Sequence, residues 1–334
     1  MAVHILHHGW CFDGAASAAL FAAFDRQRHG ARPCRLIPKD HRPGDPYDPE
    51  DFEADEVASV DFRYSQDPRL AWYFDHHASA FQLPGDREHF LADSSGQKFH
   101  DPTASSCAGY LARILRDRFA CDLSAHGELI RWAEIIDSAA FPDPRMPVEL
   151  SEPALLLMTF VENNHDRELG ERFIHDLLGR SLAELAAADY VQRLLRPRLE
   201  QNRHDIRLIG ETAVVDGDVL HYSLLDQPVR AYNKFIPYYH HPKIRYVVAL
   251  TRGPDRRIKL TAGYNPWLPR DAREHSMAAL LEPHGGGGHP YVAGCTFGAE
   301  DEDRAVAVQR ALTAVLRGGR AAAPSAARRT HSDA

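Results

Sequence analysis

Three apolar runs in the first eighty residues each end in metal-loving or acidic side chains. The first, "VHIL", leads into "HHGWCFDG"; the second is "VASVD", residues 57–61; the third is "LAWYFDHH", residues 70–77. An alanine-rich segment, 15–24, separates the first two and reads as a helix. Strands that alternate with helices predict a parallel α/β sheet. In an open parallel sheet, ligands bind beyond the carboxyl ends of the strands. The alternation therefore gathers His7, Cys11, Asp13, Asp61, Asp75, His76 and His77 along one edge. Asp137 in "RWAEIIDS" is a further candidate, near the end of a helix whose dipole disfavours an unpaired carboxylate.

With 334 residues, the chain has room for two domains. At 44% hydrophobic and 26% charged residues it has an ordinary soluble composition. It shows no secretory h-region and no apolar run of bilayer length, so a membrane location is not expected. Five cysteines, at 11, 34, 107, 121 and 295, form no CxxC pair, which points to a reducing compartment, the cytoplasm.

The net charge of −8 argues against a broad surface for duplex nucleic acid. The stretch 229–273 is different. Its ten Lys and Arg stand against Asp255 and Asp271 and are interleaved with Tyr232, Phe235, Tyr238, Tyr239, Tyr246, Tyr264 and Trp267. Cations mixed with aromatic rings suit phosphates and stacked bases.

The expected fold class is α/β. A parallel-sheet N-terminal catalytic domain, 1–180, is followed by a connecting helix, 181–205, and a smaller α/β substrate-binding domain, 206–317. The Ala-, Arg- and Ser-rich tail, 318–334, reads as disordered. Helices are expected at 103–119, with Thr103 as N-cap, at 124–138, at 153–163, and as one long amphipathic helix from 182 to about 205. Strand-like runs return at 212–215, 219–225, 244–251 and 257–262, and 272–281 is helical. The run "GGGGHPYVAG", 285–294, is costly in backbone entropy and permits close approach to a ligand. Its amides, from Gly285, Gly286, Gly287 and Gly288, with the imidazole of His289, suit a phosphate.

Each ligand candidate alone is a common structural residue. Together, carboxylates and imidazoles in this number suit two divalent cations bridged by an aspartate. These residues resemble the DHH phosphoesterase superfamily, whose name-giving triplet is Asp75-His76-His77 here. His7, Cys11 and Asp13 occupy the spacing of its first motif, Asp61 that of its strand-end aspartate, and Asp137 that of its helix aspartate. The glycine-histidine run resembles the signature of the DHH-associated C-terminal domain, so the resemblance spans most of the chain.

The resemblance implies two divalent metal ions. His7, Cys11 and Asp61 would take one, and Asp13, Asp61, His76 and Asp137 the other. Asp75 would orient a histidine and His77 would face the substrate. It implies hydrolysis of phosphoester bonds by a metal-activated water, with a small nucleotide or short oligonucleotide as substrate. Inorganic polyphosphate and a non-catalytic nucleotide-binding role are the alternatives. A homodimer is compatible with it.

Two points stay open in the sequence. His4 and His8 compete with His7, and spacing to Asp13 favours His7. Cys11 stands where the family has aspartate. It is either a packing residue or a thiolate ligand that shifts the preferred metal from Mn2+ toward Fe, Co or Zn.

Overall fold

The computed structural model describes residues 1–42, 44–227, 232–253 and 255–317. The expected disordered tail and Arg230 lie outside the described residues. The chain divides into two units. The first is Met1–Phe141 with Glu149–Leu199, and the second is Pro142–Val148 with Glu200–Ala334.

The first unit carries a five-stranded sheet with all neighbours parallel: β1 (Val3–His8), β2 (Cys34–Lys39), β3 (Glu56–Val60), β4 (Leu70–Asp75) and β5 (Lys98–His100), in the order β2-β1-β3-β4-β5. β2 is added on one side of β1 and β3 on the other. The order of strand addition therefore reverses between β1 and β3, and a crevice opens at their carboxyl ends. His7 pairs with Val60, so His8 and Asp61 follow at the mouth of that crevice.

Helix α1 (Phe12–His29) starts three residues earlier and ends five later than the alanine-rich stretch suggested. It packs on β1 and against α3 (Cys107–Phe119), α4 (Gly127–Asp137), α6 (Pro153–Asn163) and α7 (Arg167–Leu177). A helix enclosed on so many sides has to be apolar nearly all round. Its alanines meet this, with Ala16, Ala18 and Ala19 fully buried. Trp72 on β4 meets Phe24 at 5.3 Å and Phe119 at 5.2 Å between ring centroids. Pairs of this geometry contribute about 0.5–1.5 kcal/mol each beyond area burial. Short helices α2 (Asp86–Ala92), α5 (Arg145–Glu149) and α8 (Leu182–Ala186) complete this part of the chain.

Two local expectations change. The N-cap of α3 is Ser106, whose hydroxyl accepts from the Gly109 amide at 3.0 Å. Thr103 instead closes a turn on Asp101 through its amide, at 3.0 Å. The single helix expected from 182 is two, α8 and then α9 (Asp189–Thr212), with Pro197 inside the second. The division between the units falls within α9.

The second unit holds a mixed sheet in the order β10-β11-β9-β8-β7-β6. Its strands are β6 (Val214–Asp216), β7 (Val219–Leu224), β8 (Tyr246–Arg252), β9 (Ile258–Tyr264), β10 (Gly287–Gly288) and β11 (Val292–Phe297). Only β7 and β8 run parallel among these neighbours. Side chains alternate across β8. Tyr246, Val248 and Leu250 join one core with α11 (Met277–Leu281) and α12 (Glu302–Leu316). Val247 and Ala249 join another with Ile236 and Tyr238 of α10 (Ile236–His240). This period of two is what a strand buried on both faces requires.

Candidate metal centre

The site is built at the carboxyl ends of β1, β3 and β4. Asp13 enters on the first turn of α1 and is held from the opposite side. The backbone amides of Cys107 and Ala108, at the start of α3, donate to its two oxygens at 2.6 and 2.9 Å. A helix N-terminus favours such a carboxylate. Asp61 follows β3 with φ of 57°, a conformation uncommon outside glycine, and its amide donates to Phe74 at 2.9 Å. A left-handed non-glycine residue held by its surroundings is a mark of functional sites.

His76 follows β4, and its Nδ1 lies 3.1 Å from the Ala104 carbonyl. That contact fixes the ring so that Nε2 points inward, 3.3 Å from Asp137, 3.6 Å from Asp61 and 3.7 Å from Asp13. His8 Nδ1 lies 3.6 Å from the other Asp61 oxygen. Three groups of ligand atoms result, each within 4.8 Å: His8 with Cys11 and Asp61; Asp61 with His76 and His77; Asp13 with His76 and Asp137.

The donor set fits divalent cations. Both Asp61 oxygens, His8 Nδ1 and His76 Nε2 are buried without a hydrogen-bond partner. Buried polar atoms are normally satisfied. Here the orphaned ones converge, and the two Asp61 oxygens face different groups.

Electrostatics agrees. Burial first, then neighbouring acids, lift the carboxyl groups of Asp13 and Asp61 well above the usual range. Burial, then Asp61 and Asp13, lifts the Cys11 thiol in the same way. Without cations this pocket would hold protons in their place. A fourth acidic group, Asp25, His29 and Glu56, is different in kind: Arg32 bonds to both Asp25 and Glu56 and neutralises it.

His77 bonds through Nδ1 to Asp75 at 2.7 Å, and this bond raises its pKa to about 9. Asp75 is fully buried and also accepts from the Tyr73 hydroxyl at 3.1 Å. His77 is thus oriented and charged at neutral pH, and 36% of its side chain is exposed.

The structure brings together Cys11, Asp13, Asp61, Asp75, His76, His77 and Asp137. It leaves His7 out of every group of ligand atoms among the described residues. Neighbouring residues on a strand face opposite sides. His7 is buried beside a small cavity of about 40 Å³ with Trp10, Phe160 and Asn164, and its Nδ1 lies 3.0 Å from the His8 carbonyl. Burial lowers its pKa to about 4, so it stays neutral. His8 takes the place at the crevice. Counting from Asp13 favoured the wrong neighbour; the pairing of β1 with β3, had it been inferred, selects His8. The anchoring amides of Cys107 and Ala108 and the Ala104 carbonyl had no sequence signal, because backbone groups carry none.

In the second unit the glycine run is a hairpin. Gly287 and Gly288 pair with Gly294 and Ala293. A Cβ on Gly286 would lie 2.6 Å from the Gly294 carbonyl, and one on Gly288 2.6 Å from that of Val292. Gly288 also has φ of 143°. The amides of Gly285, Gly286 and His289 already donate to Glu282, Leu281 and Val292. An amide cradle over the whole run is therefore closed, while the His289 side chain is exposed.

A five-stranded parallel sheet with a histidine- and aspartate-rich centre at its reversal point, followed by a mixed-sheet unit, is the fold of the DHH phosphoesterases that the motifs resemble. Among solved structures, the chain is similar to the pGpG-specific phosphodiesterase PggH from Vibrio cholerae. The TM-score is 0.69 at 18% identity, over 95% of this chain and 99% of that one. It is also similar to RecJ in complex with Mn2+ from Thermus thermophilus, with a TM-score of 0.52 at 15% identity, over 94% of this chain and 52% of that one. The chain thus spans about half the length of that RecJ. No family model and no curated protein matches the sequence. Among the described residues no helix is long and apolar enough to cross a membrane.

Proposed function

We propose that the chain is a divalent-metal-dependent phosphoesterase acting on small nucleotides or short oligonucleotides. The observation that carries this reading is Asp61, whose two buried oxygens have no partner and each face a separate group of ligand atoms. His8, Cys11 and Asp61 would hold one ion, and Asp13, Asp61, His76 and Asp137 the other. Ions bound there supply Lewis acidity and an activated water. Mn2+ suits the carboxylate-rich set, and the Cys11 thiol would favour Fe, Co or Zn at its own position.

The protein's own groups do the rest. The amides of Cys107 and Ala108 keep Asp13 in place. Asp75 holds His77 protonated, and His77 can donate a hydrogen bond or a proton to a phosphoryl or leaving oxygen. In the second unit, the exposed His289 imidazole and the glycine hairpin are the proposed substrate contacts. Similarity over almost the full length of a pGpG-specific phosphodiesterase favours a dinucleotide-sized substrate over polyphosphate.

The test is metal analysis of the purified protein, then hydrolysis of dinucleotides, short RNA, cyclic dinucleotides and polyphosphate. The expected result is about two ions per chain and turnover of the short nucleotides. Cleavage of polyphosphate alone would move the substrate class. Nucleotide binding with no turnover under any divalent metal would leave a binding protein.

A further inference from the structure

A second feature of the first unit lies next to the metal centre and is not used by it. A pocket of about 360 Å³ is lined by His41, Arg42, Gly44, Arg63, Gln82 and Leu83. Arg63 is only 6% exposed. Its Nη1 donates to the Gln82 amide oxygen, and its Nη2 to the carbonyls of Arg42 and Gly44 at 2.9 and 3.0 Å. Its Nε is buried with no partner.

Among the described residues no carboxylate lies within ion-pair distance of Arg63. Buried guanidinium groups are ordinarily paired with an anion, because neutral dipoles compensate a desolvated charge only in part. The neighbouring Arg42 is different, since Asp48 takes its guanidinium at 2.7 Å. Arg63 is therefore a fixed cation, held rigid by three acceptors and lacking a counter-charge.

The pocket adjoins the metal centre through one ring. His41 lies 4.9 Å from His8 and stacks on Phe62 at 4.9 Å, centroid to centroid. Phe62 is the residue between Asp61 and Arg63. A group bound beside His41 is thus one imidazole away from a group bound at His8.

The geometry points to an anion subsite in which Arg63 and His41 receive a second phosphate of the substrate, beside the phosphoryl group handled at the metal centre. This rests on the phosphoesterase reading and narrows it. The substrate class becomes a short nucleotide bearing a terminal phosphate in addition to the scissile diester. The guanidinium and imidazole supply charge-assisted hydrogen bonds, which add geometric selection as well as affinity.

The experiment compares a dinucleotide carrying a 5′-phosphate with the same dinucleotide lacking it. Inorganic phosphate serves as a third ligand. Binding is measured by calorimetry on the full chain, and hydrolysis in parallel, for the native protein, His41→Ala and Arg63→Gln. His41 is exposed, so its truncation leaves the fold intact. The native protein is expected to bind the phosphorylated dinucleotide at least about tenfold more tightly, and both variants to lose that preference. KM for the unphosphorylated dinucleotide and the metal content should not move.

Equal native affinity for the two dinucleotides overturns the inference, as does a preference that both variants retain. An equal loss for both dinucleotides makes Arg63 and His41 structural and overturns it too. Inorganic phosphate binding that depends on Arg63, without preference between the dinucleotides, shows a free-phosphate site and also overturns it. Preferential binding without hydrolysis leaves the subsite standing and defeats the phosphoesterase reading instead.

Discussion

His8 Nδ1 lies 3.6 Å from an Asp61 oxygen, and neither atom has a hydrogen-bond partner. The two residues sit at the ends of neighbouring parallel strands, where the order of strand addition reverses. Hydrogen-bond register alone brings an imidazole and a carboxylate together there, before any ligand is considered. Asp61 then turns through a left-handed conformation, and its second oxygen comes within 3.6 Å of His76. One carboxylate is thereby shared between two ligand sets.

Asp61→Asn is expected to abolish metal binding at both positions. Asparagine tolerates the left-handed backbone, so the fold should persist. Turnover should fall on the order of 10³-fold or more, the scale of losing a principal electrostatic group. Metal stoichiometry by elemental analysis and circular dichroism check this. Two retained ions with native turnover would remove Asp61 from the centre.

His7 and His8 separate two explanations of the first motif. His8→Ala should lose one ion and most of the activity. His7→Ala should keep both ions and lose stability, by about 1–3 kcal/mol for a broken buried hydrogen bond. Urea denaturation and metal analysis on both variants decide. The reverse pattern would restore the assignment by spacing.

The particular errors show what sequence carries. The strand endings were legible because strand alternation and acidic termini are one-dimensional patterns. The choice between His7 and His8 was not, because it depends on which strand pairs with β1 and in what register. The N-cap of α3 moved from Thr103 to Ser106 because Asp101 captures Thr103 in a turn of its own. The glycine run was read as an amide cradle, yet three of its amides are spent inside a hairpin whose partner strand, β11, begins only four residues later. Arg63 lacked any signal, since an unpaired arginine is visible only once its burial is known.

The glycine hairpin gives a test independent of activity. Gly286→Ala should destabilise the protein by about 1–3 kcal/mol, the usual cost of overpacking. Its Cβ would meet the Gly294 carbonyl at 2.6 Å and the Cys295 Cβ at 2.7 Å. A Cβ on Gly287 meets nothing within 4 Å, so Gly287→Ala should be nearly neutral. Thermal melts compare the two. Equal losses would mean that the hairpin packs differently.

Metal removal should carry a defined pH dependence. Asp13 and Asp61 have folded pKa values raised by burial above their unfolded values near 3.9. The metal-free native state therefore holds more protons than the unfolded state. Its stability falls as pH rises from the unfolded pKa toward the folded one. Bound cations displace those protons, so their affinity grows over the same range. The gap in melting temperature between metal-loaded and chelated protein should widen from about pH 5 to pH 8. A gap that stays constant with pH would mean that these carboxylates are not the ligands.

Cys11 is the remaining departure from the aspartate expected at its position. Its thiol lies within reach of His8 and Asp61, and burial with two neighbouring acids keeps it protonated while no cation is present. A cation would have to displace that proton, and a thiolate so formed binds soft or borderline ions better than Mn2+. Cys11→Asp should therefore shift the preferred metal toward Mn2+, and Cys11→Ala should lose one ion and most of the rate. Bound metal should also protect the native thiol from alkylation, since a coordinated thiolate is shielded. Metal content, rate and alkylation kinetics across the three proteins provide the measurement. If Cys11→Ala keeps two ions and near-native turnover, the cysteine is a packing residue, and the ion beside it is held by His8 and Asp61 alone.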